Sequence, residues 1–388
     1  MRLDGVRILD LSRLLPGPYA TQLLADAGAD VIKVEDAEGG DYARMLPPYT
    51  DEGVGAIFDA VNRGKRSVAL DLKSDRGREA FLDLAAEADV VFEQFRPGVV
   101  DRLGVDYDSV RERNPEVVYC SLSGFGQEGP YADRVGHDLN YVGMAGLLDM
   151  TRADEEHKPQ MPGYPVGDMA GGLFAAFSIV GALLSRELGN TGGEYVDVAM
   201  TDVVASFSQA VAHDALTGGD PRPGETELTG DLPWYDVYET ADGGYVTLAA
   251  LEPKFWESFC EAVEREDLAD AHMTMDPAER EALREELTAL FADRTRDEWE
   301  DALGDVEAMV APVHTPAEAL DSEHATARDL LDRSGPVPRV GFPAQCSEGS
   351  DRETGPAPGH GEHTEAVLSA VGYDRDRLDA LREDGVIE

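Results

Sequence analysis

The sequence predicts an α/β protein with a Rossmann-like parallel-sheet large domain and a smaller α/β domain. Short apolar runs of strand length alternate with helical patterns through residues 1–125. Such alternation is typical of a parallel, doubly wound sheet. A stretch rich in Gly, Pro, Asp, Glu and Thr, residues 216–233, then precedes a second block of strand and helix patterns. This composition indicates a linker between two domains.

The individual elements follow from the spacing of apolar residues. Strands are predicted at residues 6–11, 30–35, 67–72, 89–95 and 116–122. Helices are predicted at about 19–27, 75–87 and 105–113. Helical patterns with small residues continue from 139 to 215 around a strand at 194–198, and a last helix is predicted near 363–384.

These elements divide the chain into four parts. We predict a large domain, a linker, a small domain and a C-terminal segment that returns to the large domain, at residues 1–215, 216–233, 234–325 and 326–388. A chain of 388 residues is long enough for two hydrophobic cores.

The charge of the chain is strongly acidic. There are 78 Asp and Glu residues against 33 Lys and Arg, for a formal net charge of −45. Self-repulsion of this size destabilises a compact state in dilute salt, and concentrated counter-ions relieve it. With the shortage of lysine, this predicts a salt-adapted, halophilic protein. No basic stripe is visible, so we expect no nucleic-acid partner.

Cysteine usage and the apolar runs bear on location. Cys120, Cys260 and Cys346 are widely spaced and include no CxxC pair, which is typical of a reducing cytoplasm. We expect no signal peptide, and the longest apolar run, 170–184, is too short to span a bilayer. This run is interpreted as a buried core helix, and the protein as cytoplasmic with no membrane partner.

The first strand is followed by the loop SRLLPGPYA, residues 12–20, which lacks the glycines of GxGxxG. The backbone of such a loop does not close on a pyrophosphate as a nicotinamide site requires. The geometry of a dinucleotide fold is expected here without its redox chemistry.

Two cationic segments are candidates for binding a phosphate-rich ligand. Arg63, Lys65 and Arg66 stand together just before the third strand, and Arg96 follows the fourth. Clustered cations in so acidic a chain suit phosphate binding. Ion pairs with nearby carboxylates are the structural alternative.

The segment from residue 123 to 141 is rich in glycine and ends in the sequence GHDLNY. Gly124 and Gly126 allow a ligand to approach the backbone closely, and GHD is expected to open a helix. Free N–H groups at Asp138 would then stabilise a developing oxyanion. His137 is either a general acid/base or a helix cap.

Two carboxyl groups complete the candidates. Asp168 stands at the start of the apolar helix, where partial burial would raise its pKa towards neutrality. An N-cap role is the alternative. Glu252 follows a predicted strand and either orients a histidine or lies on the surface. We expect no metal site.

In order, these segments resemble the family III CoA-transferase superfamily, and the 2-methylacyl-CoA racemase branch in particular. The resemblance covers nearly the whole chain and includes LSRLLPGPYATQLLADAGADVIKVE, NRGKRSVALDLK, FRPGVVDRLGV, LSGFGQEGP, GHDLNYVGMAGLL, PVGDMAGGLFAA, GGEYVDVAM, WYDVYETADGGYV and ALEPKFW.

The resemblance implies racemisation of acyl-CoA thioesters by proton transfer through an enolate. It assigns His137 and Asp168 as the proton carriers and pairs Glu252 with the histidine. CoA would lie across the large domain, near the four cations and the segment of Gly124, Gly126 and Tyr141. No metal or redox cofactor is implied. The implied assembly is an interlocked homodimer with the active site between subunits.

Two alternatives remain open. CoA-transferases of the same superfamily share the aspartate, here Asp168, as a nucleophile, and usually lack the histidine. The sequence EGGDYARM, residues 38–45, looks more like that branch. A non-catalytic acyl-CoA-binding protein is the alternative from another class.

Overall fold

The structure, a computed structural model, describes residues 2–333, 335, 337–349 and 355–388. The chain divides into two compact units. The first contains residues 1–145, 162–207 and 323–388, and the second contains 146–161 and 208–322. These boundaries differ from the predicted domains. Residues 146–161 and 208–215 and the predicted linker, 216–233, belong to the second unit, whereas residues 323–325 belong to the first. Of the predicted C-terminal segment, residues 334, 336 and 350–354 lie outside the described residues.

A six-stranded parallel sheet forms the centre of the first unit, with strand order β3-β2-β1-β4-β5-β6. Its strands are β1 Arg7–Asp10, β2 Asp30–Glu35, β3 Arg66–Ala69, β4 Val90–Glu93, β5 Val118–Ser123 and β6 Glu194–Ala199. The helices up to the end of this sheet are α1 Pro16–Asp26, α2 Ala56–Val61, α3 Asp75–Ala85, α4 Val99–Leu103, α5 Tyr107–Arg113, α6 Asp138–Met144, α7 Val166–Glu187 and α8 Met200–Ser206. The predicted α/β fold is confirmed.

The sheet separates two hydrophobic cores because successive side chains of a strand point to opposite faces. On β1, Ile8 packs on the face covered by α1 and α7. Leu9 packs on the face covered by α3 and by the C-terminal helix Arg375–Glu383. Helices α1 and α7 approach closely at Gly172, where a Cβ atom would lie 2.4 Å from the Pro16 carbonyl oxygen.

Helix α7 differs from its predicted description. Among the described residues it is the one helix whose length and composition would suit a membrane span. It is not a fully buried core helix, since one face is buried and the other is open. Buried residues include Ala175 and Ile179, whereas Phe174 and Phe177 are exposed. The small residues of the run allow close packing on one side only.

The second unit has its own core around Trp234, Trp256 and Trp299. Strands β7, β8 and β9 form an antiparallel sheet in that order. The elements are α9 Gln209–Leu216, β7 Tyr235–Glu239, β8 Tyr245–Ala249, α10 Pro253–Ala262, α11 Pro277–Phe291, α12 Arg296–Leu303, β9 Val310–Pro312 and α13 Pro316–Asp321. Residues 217–234, all described, contain no helix or strand.

The C-terminal part belongs to the first unit and is attached to the edge strand β3. The His363 N–H donates to the Ser67 carbonyl, and the Ala69 N–H donates to Thr364 Oγ1 at 3.0 Å. Its elements are α14 Glu323–Ala327, β10 Leu331–Asp332, β11 Arg339–Val340, α15 Thr364–Ala370 and α16 Arg375–Glu383. The single helix predicted near 363–384 is wrong, because Gly372 at φ +94° ends one helix before the next begins.

Candidate active site

A cleft of about 420 Å³ opens at the carboxyl edge of the parallel sheet. Its walls come from the segments that follow β1, β4 and β5 and from α6 and α7. With this strand order the crossovers change direction between β1 and β4, and ligands bind outside the carboxyl ends at that point. We call it the catalytic cleft, since it contains both predicted proton carriers, His137 and Asp168.

Asp168 lies in the first turn of α7, and the N-cap position belongs to Pro165. Burial raises the pKa of Asp168 from 3.8 to about 7, and the neighbouring Asp138 carboxylate adds to the rise. The direction agrees with the sequence-based expectation. A carboxyl group with a pKa near neutrality can both accept and return a proton at physiological pH.

Asp138 connects the two helices of the cleft. It is the first residue of α6, and its Oδ1 accepts the Asp168 N–H at 3.0 Å. The side chain therefore satisfies a donor at the amino end of α7, as a helix cap does. The same contact brings a second carboxylate close to that of Asp168. The predicted binding of an oxyanion at the Asp138 backbone stays a prediction.

His137 occupies the N-cap position of α6 and is exposed. Its backbone N–H donates to Asn140 Oδ1 at 3.0 Å, which fixes the backbone where the loop enters the helix. Because His137 and Asp168 line one cleft, the structure brings together the histidine and the carboxyl group that the sequence singled out.

Tyr141 forms a wall of the cleft. Its ring packs edge-on against Phe125 and lies so close to Gly124 that a Cβ atom there would be 2.3 Å from the ring. Its hydroxyl donates to the Gly136 carbonyl. Burial, with a contribution from Asp168, raises the pKa of Tyr141 to about 12, so the phenol stays neutral. Gly126 is in the same loop at φ +83°, outside the lining of the cleft.

Three arginines line the catalytic cleft: Arg13, Arg96 and Arg134. All three are exposed, and none forms an ion pair with another described residue. Arg13 lies over the rings of Tyr42 and Phe95, 5.3 and 5.9 Å from their centroids. In so acidic a chain, three cations without a carboxylate partner indicate a site for anionic groups.

The structure corrects the prediction that Arg63, Lys65 and Arg66 bind phosphate. Arg63 is fully buried and pairs with Asp59. Arg66 begins β3, at the amino edge of the sheet away from the catalytic cleft, and pairs with Asp30. For Arg63 and Arg66, the structure therefore shows the ion pairs that the sequence left open as the alternative to phosphate binding.

The Lys65 side chain is buried between the end of β1 and the start of α1. Its Nζ lies 3.2 Å from Asp10 Oδ2 and donates to Thr21 Oγ1 and Asn62 Oδ1 at 2.8 and 3.0 Å. A further bond to the Pro18 carbonyl occupies the rest of its donor capacity. Lys65 therefore stabilises the fold and has no donor left for a ligand.

A second cleft of about 320 Å³ runs along the same edge of the sheet. It is lined mainly by apolar side chains that follow β1 to β4, together with Glu35, Asp36 and Lys73. Arg13 and Phe95 line both clefts, so the two are adjacent. We call it the apolar cleft.

Glu252 lies in the second unit, exposed, as the N-cap residue of α10. His137 and Asp168 belong to the first unit. The pairing of Glu252 with a histidine therefore stays a prediction.

Sequence reasoning missed Arg13 and Arg134. A signal existed for each: Arg13 follows the first strand at the point where the crossovers change direction, and Arg134 stands three residues before His137. The buried pair of Lys33 and Asp41 was also missed. It holds the loop that carries Arg13, since Lys33 donates to the Ser12 carbonyl at 2.7 Å and Asp41 accepts the Leu14 N–H.

Comparison with known proteins identifies one family, and the relatives include both CoA-transferases and racemases. The model of CoA-transferase family III matches residues 3–364. A succinyl-CoA:mesaconate CoA-transferase of Haloarcula marismortui is 38% identical, over 96% of this chain and 97% of the relative. The alpha-methylacyl-CoA racemase of Homo sapiens is 32% identical, over 100% of this chain and 98% of the relative. The crystal structure of a CAIB/BAIF family protein from Brucella suis superimposes with a TM-score of 0.82 at 32% identity, covering 95% of this chain and 99% of that one.

Proposed function

The chain belongs to CoA-transferase family III, and from that premise we propose that it racemises 2-methylacyl-CoA thioesters by proton transfer at the α-carbon. The observation that carries the proposal is the presence of His137 and Asp168 in one cleft. A racemase needs a proton carrier on each face of a planar intermediate, and each carrier must act as acid and as base. The pKa of Asp168, raised to about 7, suits both roles.

In the reaction, one residue removes the α-proton and the electron pair of the C–H bond moves into the enolate. The other residue then donates its proton to the opposite face, which restores the thioester with inverted configuration. Which residue acts first depends on the enantiomer. The backbone N–H groups at Asp138 are our candidates for the enolate oxygen. The thioester already acidifies the α-hydrogen, so we propose no metal or redox cofactor.

The two clefts suggest how the CoA part would bind. The apolar cleft suits the adenine ring, and Arg13, between the clefts, suits the phosphates. Arg96 lies in the catalytic cleft on the same Phe95–Pro97 segment. We propose that Arg96 keeps the phosphate-binding role that the sequence suggested, and that Arg13 takes this role in place of Arg63, Lys65 and Arg66.

We also propose that two copies of the chain form the functional unit. The exposed face of α7 carries Leu173, Phe174, Phe177 and Leu184 in a stripe at helical spacing. A second copy would cover this stripe, and Glu252 of one copy would orient His137 of the other. Sedimentation of the parent protein and of the Phe177→Asp variant tests this proposal. We expect the parent to be a dimer and the variant to be a monomer.

The buried thiols of Cys120 and Cys260 fit the reducing cytoplasm, where we propose that the enzyme works. The excess of acidic residues supports adaptation to high salt. Assays are therefore designed at molar salt.

CoA transfer between carboxylic acids is the second candidate, favoured by the 38% identity to a CoA-transferase. In that reaction the Asp168 carboxylate attacks the thioester, and CoA leaves as a thiolate. The thiolate attacks the Asp168 carbonyl of the resulting anhydride, which releases the first carboxylate and leaves CoA on Asp168 as a thioester. The acceptor carboxylate attacks this thioester to form a second anhydride and free the thiolate, which then takes the acceptor's acyl group and releases the Asp168 carboxylate. His137, a residue that CoA-transferases of this superfamily usually lack, lies in the same cleft as Asp168. This is why we place racemisation first.

The deciding experiment follows the α-proton in deuterated water. One enantiomer of a 2-methylacyl-CoA is incubated with the protein at molar salt and without an acceptor acid. NMR detects deuterium at the α-carbon, and chiral analysis detects inversion. We expect both in the parent protein, and loss of inversion in His137→Ala and Asp168→Asn.

Glu128→Gln serves as a control, since it removes an exposed carboxylate from a residue outside both clefts. It should retain exchange and inversion. Absence of exchange in the parent, together with rapid CoA transfer once succinate is added, would refute racemisation. Loss of this transfer in Asp168→Asn would then identify Asp168 as the nucleophile.

A further inference from the structure

We propose that Arg134 binds a second carboxylate on the acyl group, so that the preferred substrates are CoA thioesters of dicarboxylic acids. This inference rests on the proposed function, because it takes the catalytic cleft as the acyl-CoA site. It concerns the part of the substrate beyond the α-carbon.

The position of Arg134 supports the proposal. Arg134 belongs to the loop between β5 and α6 and lines the catalytic cleft together with Val135, Gly136 and His137. Two residues, Val135 and Gly136, separate it from the proposed proton carrier. Unlike Arg13, it does not line the apolar cleft. It is therefore on the histidine side of the site.

Arg134 is also held in place before any ligand binds. Its guanidinium carbon lies 4.0 Å from the centroid of the Tyr131 ring, and its backbone N–H donates to the Tyr131 carbonyl at 2.9 Å. The Tyr131 ring packs edge-on against Phe125, which packs in the same way against Tyr141. This row of rings connects Arg134 to the wall of the cleft. A guanidinium fixed in this way loses little side-chain freedom when it binds an anion.

The charge of Arg134 has no carboxylate partner among the described residues, although acidic residues outnumber basic ones 78 to 33 in the chain. Even the adjacent Asp133 forms no ion pair with it. A guanidinium can donate two parallel hydrogen bonds to a carboxylate. An apolar acyl chain would leave this guanidinium without a carboxylate partner.

The three arginines of the catalytic cleft that form no ion pair with another described residue differ in position. Arg13 lies between the two clefts, where the phosphates of CoA are proposed to bind. Arg96 follows β4, and its charge acts on Tyr141 in the wall of the catalytic cleft. Arg134 is in the loop that leads into His137. If the thioester lies at His137 and Asp168, the group nearest Arg134 belongs to the acyl chain.

The test compares two thioesters of the same shape. In 2-methylsuccinyl-CoA the acyl chain ends in a carboxylate, and in 2,4-dimethylpentanoyl-CoA an isopropyl group takes its place. For each, kcat/KM is measured for α-proton exchange and for CoA transfer, and Kd by titration calorimetry at one salt concentration. We expect the parent to prefer the carboxylate ester by about tenfold, the value of one charge-assisted contact. Arg134→Gln should abolish this preference, and Arg134→Lys should retain part of it.

Arg294→Gln is the matched control. Arg294 is also exposed and lies over an aromatic ring, 4.7 Å from the Trp299 centroid, but it belongs to the second unit. This variant should keep the parental preference. Equal preference in the parent, or a preference that survives in Arg134→Gln, would overturn the proposal. The calorimetric Kd values decide it even if neither reaction occurs, an outcome that would instead contradict the proposed function.

Discussion

Substitution of Asp138 by asparagine would separate the two causes of the raised pKa of Asp168. Burial is the larger cause, and the charge of Asp138 is the second. Asparagine keeps an Oδ1 atom that can accept the Asp168 N–H, so the connection between α6 and α7 is retained. Only the negative charge is removed.

The size of the effect follows from the structure. The pKa of Asp168 rises from 3.8 to about 7, and Asp138 contributes less than burial does. Removal of its charge therefore lowers the pKa by less than half of the rise, and we expect about one unit. At pH 6 the ionised fraction of Asp168 would increase about fivefold, and the carboxylate would be a somewhat weaker base.

The assay is the pH dependence of kcat/KM for α-deuterium exchange, measured with each enantiomer separately. For the enantiomer whose proton Asp168 removes, the rate rises with pH through the pKa of Asp168. We call this rising part of the pH profile the limb, and in Asp138→Asn it should move about one pH unit lower. Glu128→Gln removes a charge that does not act on Asp168 and should leave the limb in place. An unchanged limb in Asp138→Asn would refute the electrostatic role of Asp138.

Two further predictions concern binding and stability. Arg96→Gln should raise KM for the CoA thioester about tenfold, and Arg66→Gln should leave it unchanged, because only Arg96 lines the catalytic cleft. Equal effects in steady-state kinetics would contradict this assignment. Asp168→Asn should be more stable to urea than the parent at pH 8, by about 4 kcal/mol, the free energy that corresponds to a rise of about three pKa units. In the folded protein the pKa of Asp168 is raised above its ordinary value of 3.8. The contribution of Asp168 to the free energy of unfolding is therefore fully present below pH 3.8, and it is lost as the pH rises through about 7. The difference should vanish near pH 4, and equal stability at pH 8 would contradict the raised pKa.

The sequence predicted most of the sheet because each strand has its own local signal. Residues 30–35 form β2 as predicted, and the other predicted strands overlap observed ones. Apolar runs in a parallel sheet are buried on both faces, which makes them easy to recognise. The last helix was less predictable, since its interruption depends on one glycine with positive φ.

Cations were the hardest residues to assign from the sequence. Arg63 and Lys65 precede a strand just as a phosphate-binding residue would, but their partners, Asp59 among them, depend on the tertiary fold. Arg134 appears in the sequence beside an acidic residue, and only the structure shows that the two form no ion pair. The sequence gives the number of charged residues. The binding of an anionic ligand depends on which of the cations have no carboxylate partner in the fold.

The buried ion pairs and the free arginines are related through the loop that follows β1. Asp10 accepts the Ser12 N–H, and the buried Lys33 donates to the Ser12 carbonyl, so both sides of that residue are fixed. Leu14, at φ +64°, is held by Asp41. Arg13 lies between these two anchored residues. The backbone conformation that presents its side chain to both clefts therefore depends on charges that never reach the ligand. Because loss of one partner leaves an uncompensated buried charge, such pairs resist substitution even where their net contribution to stability is small.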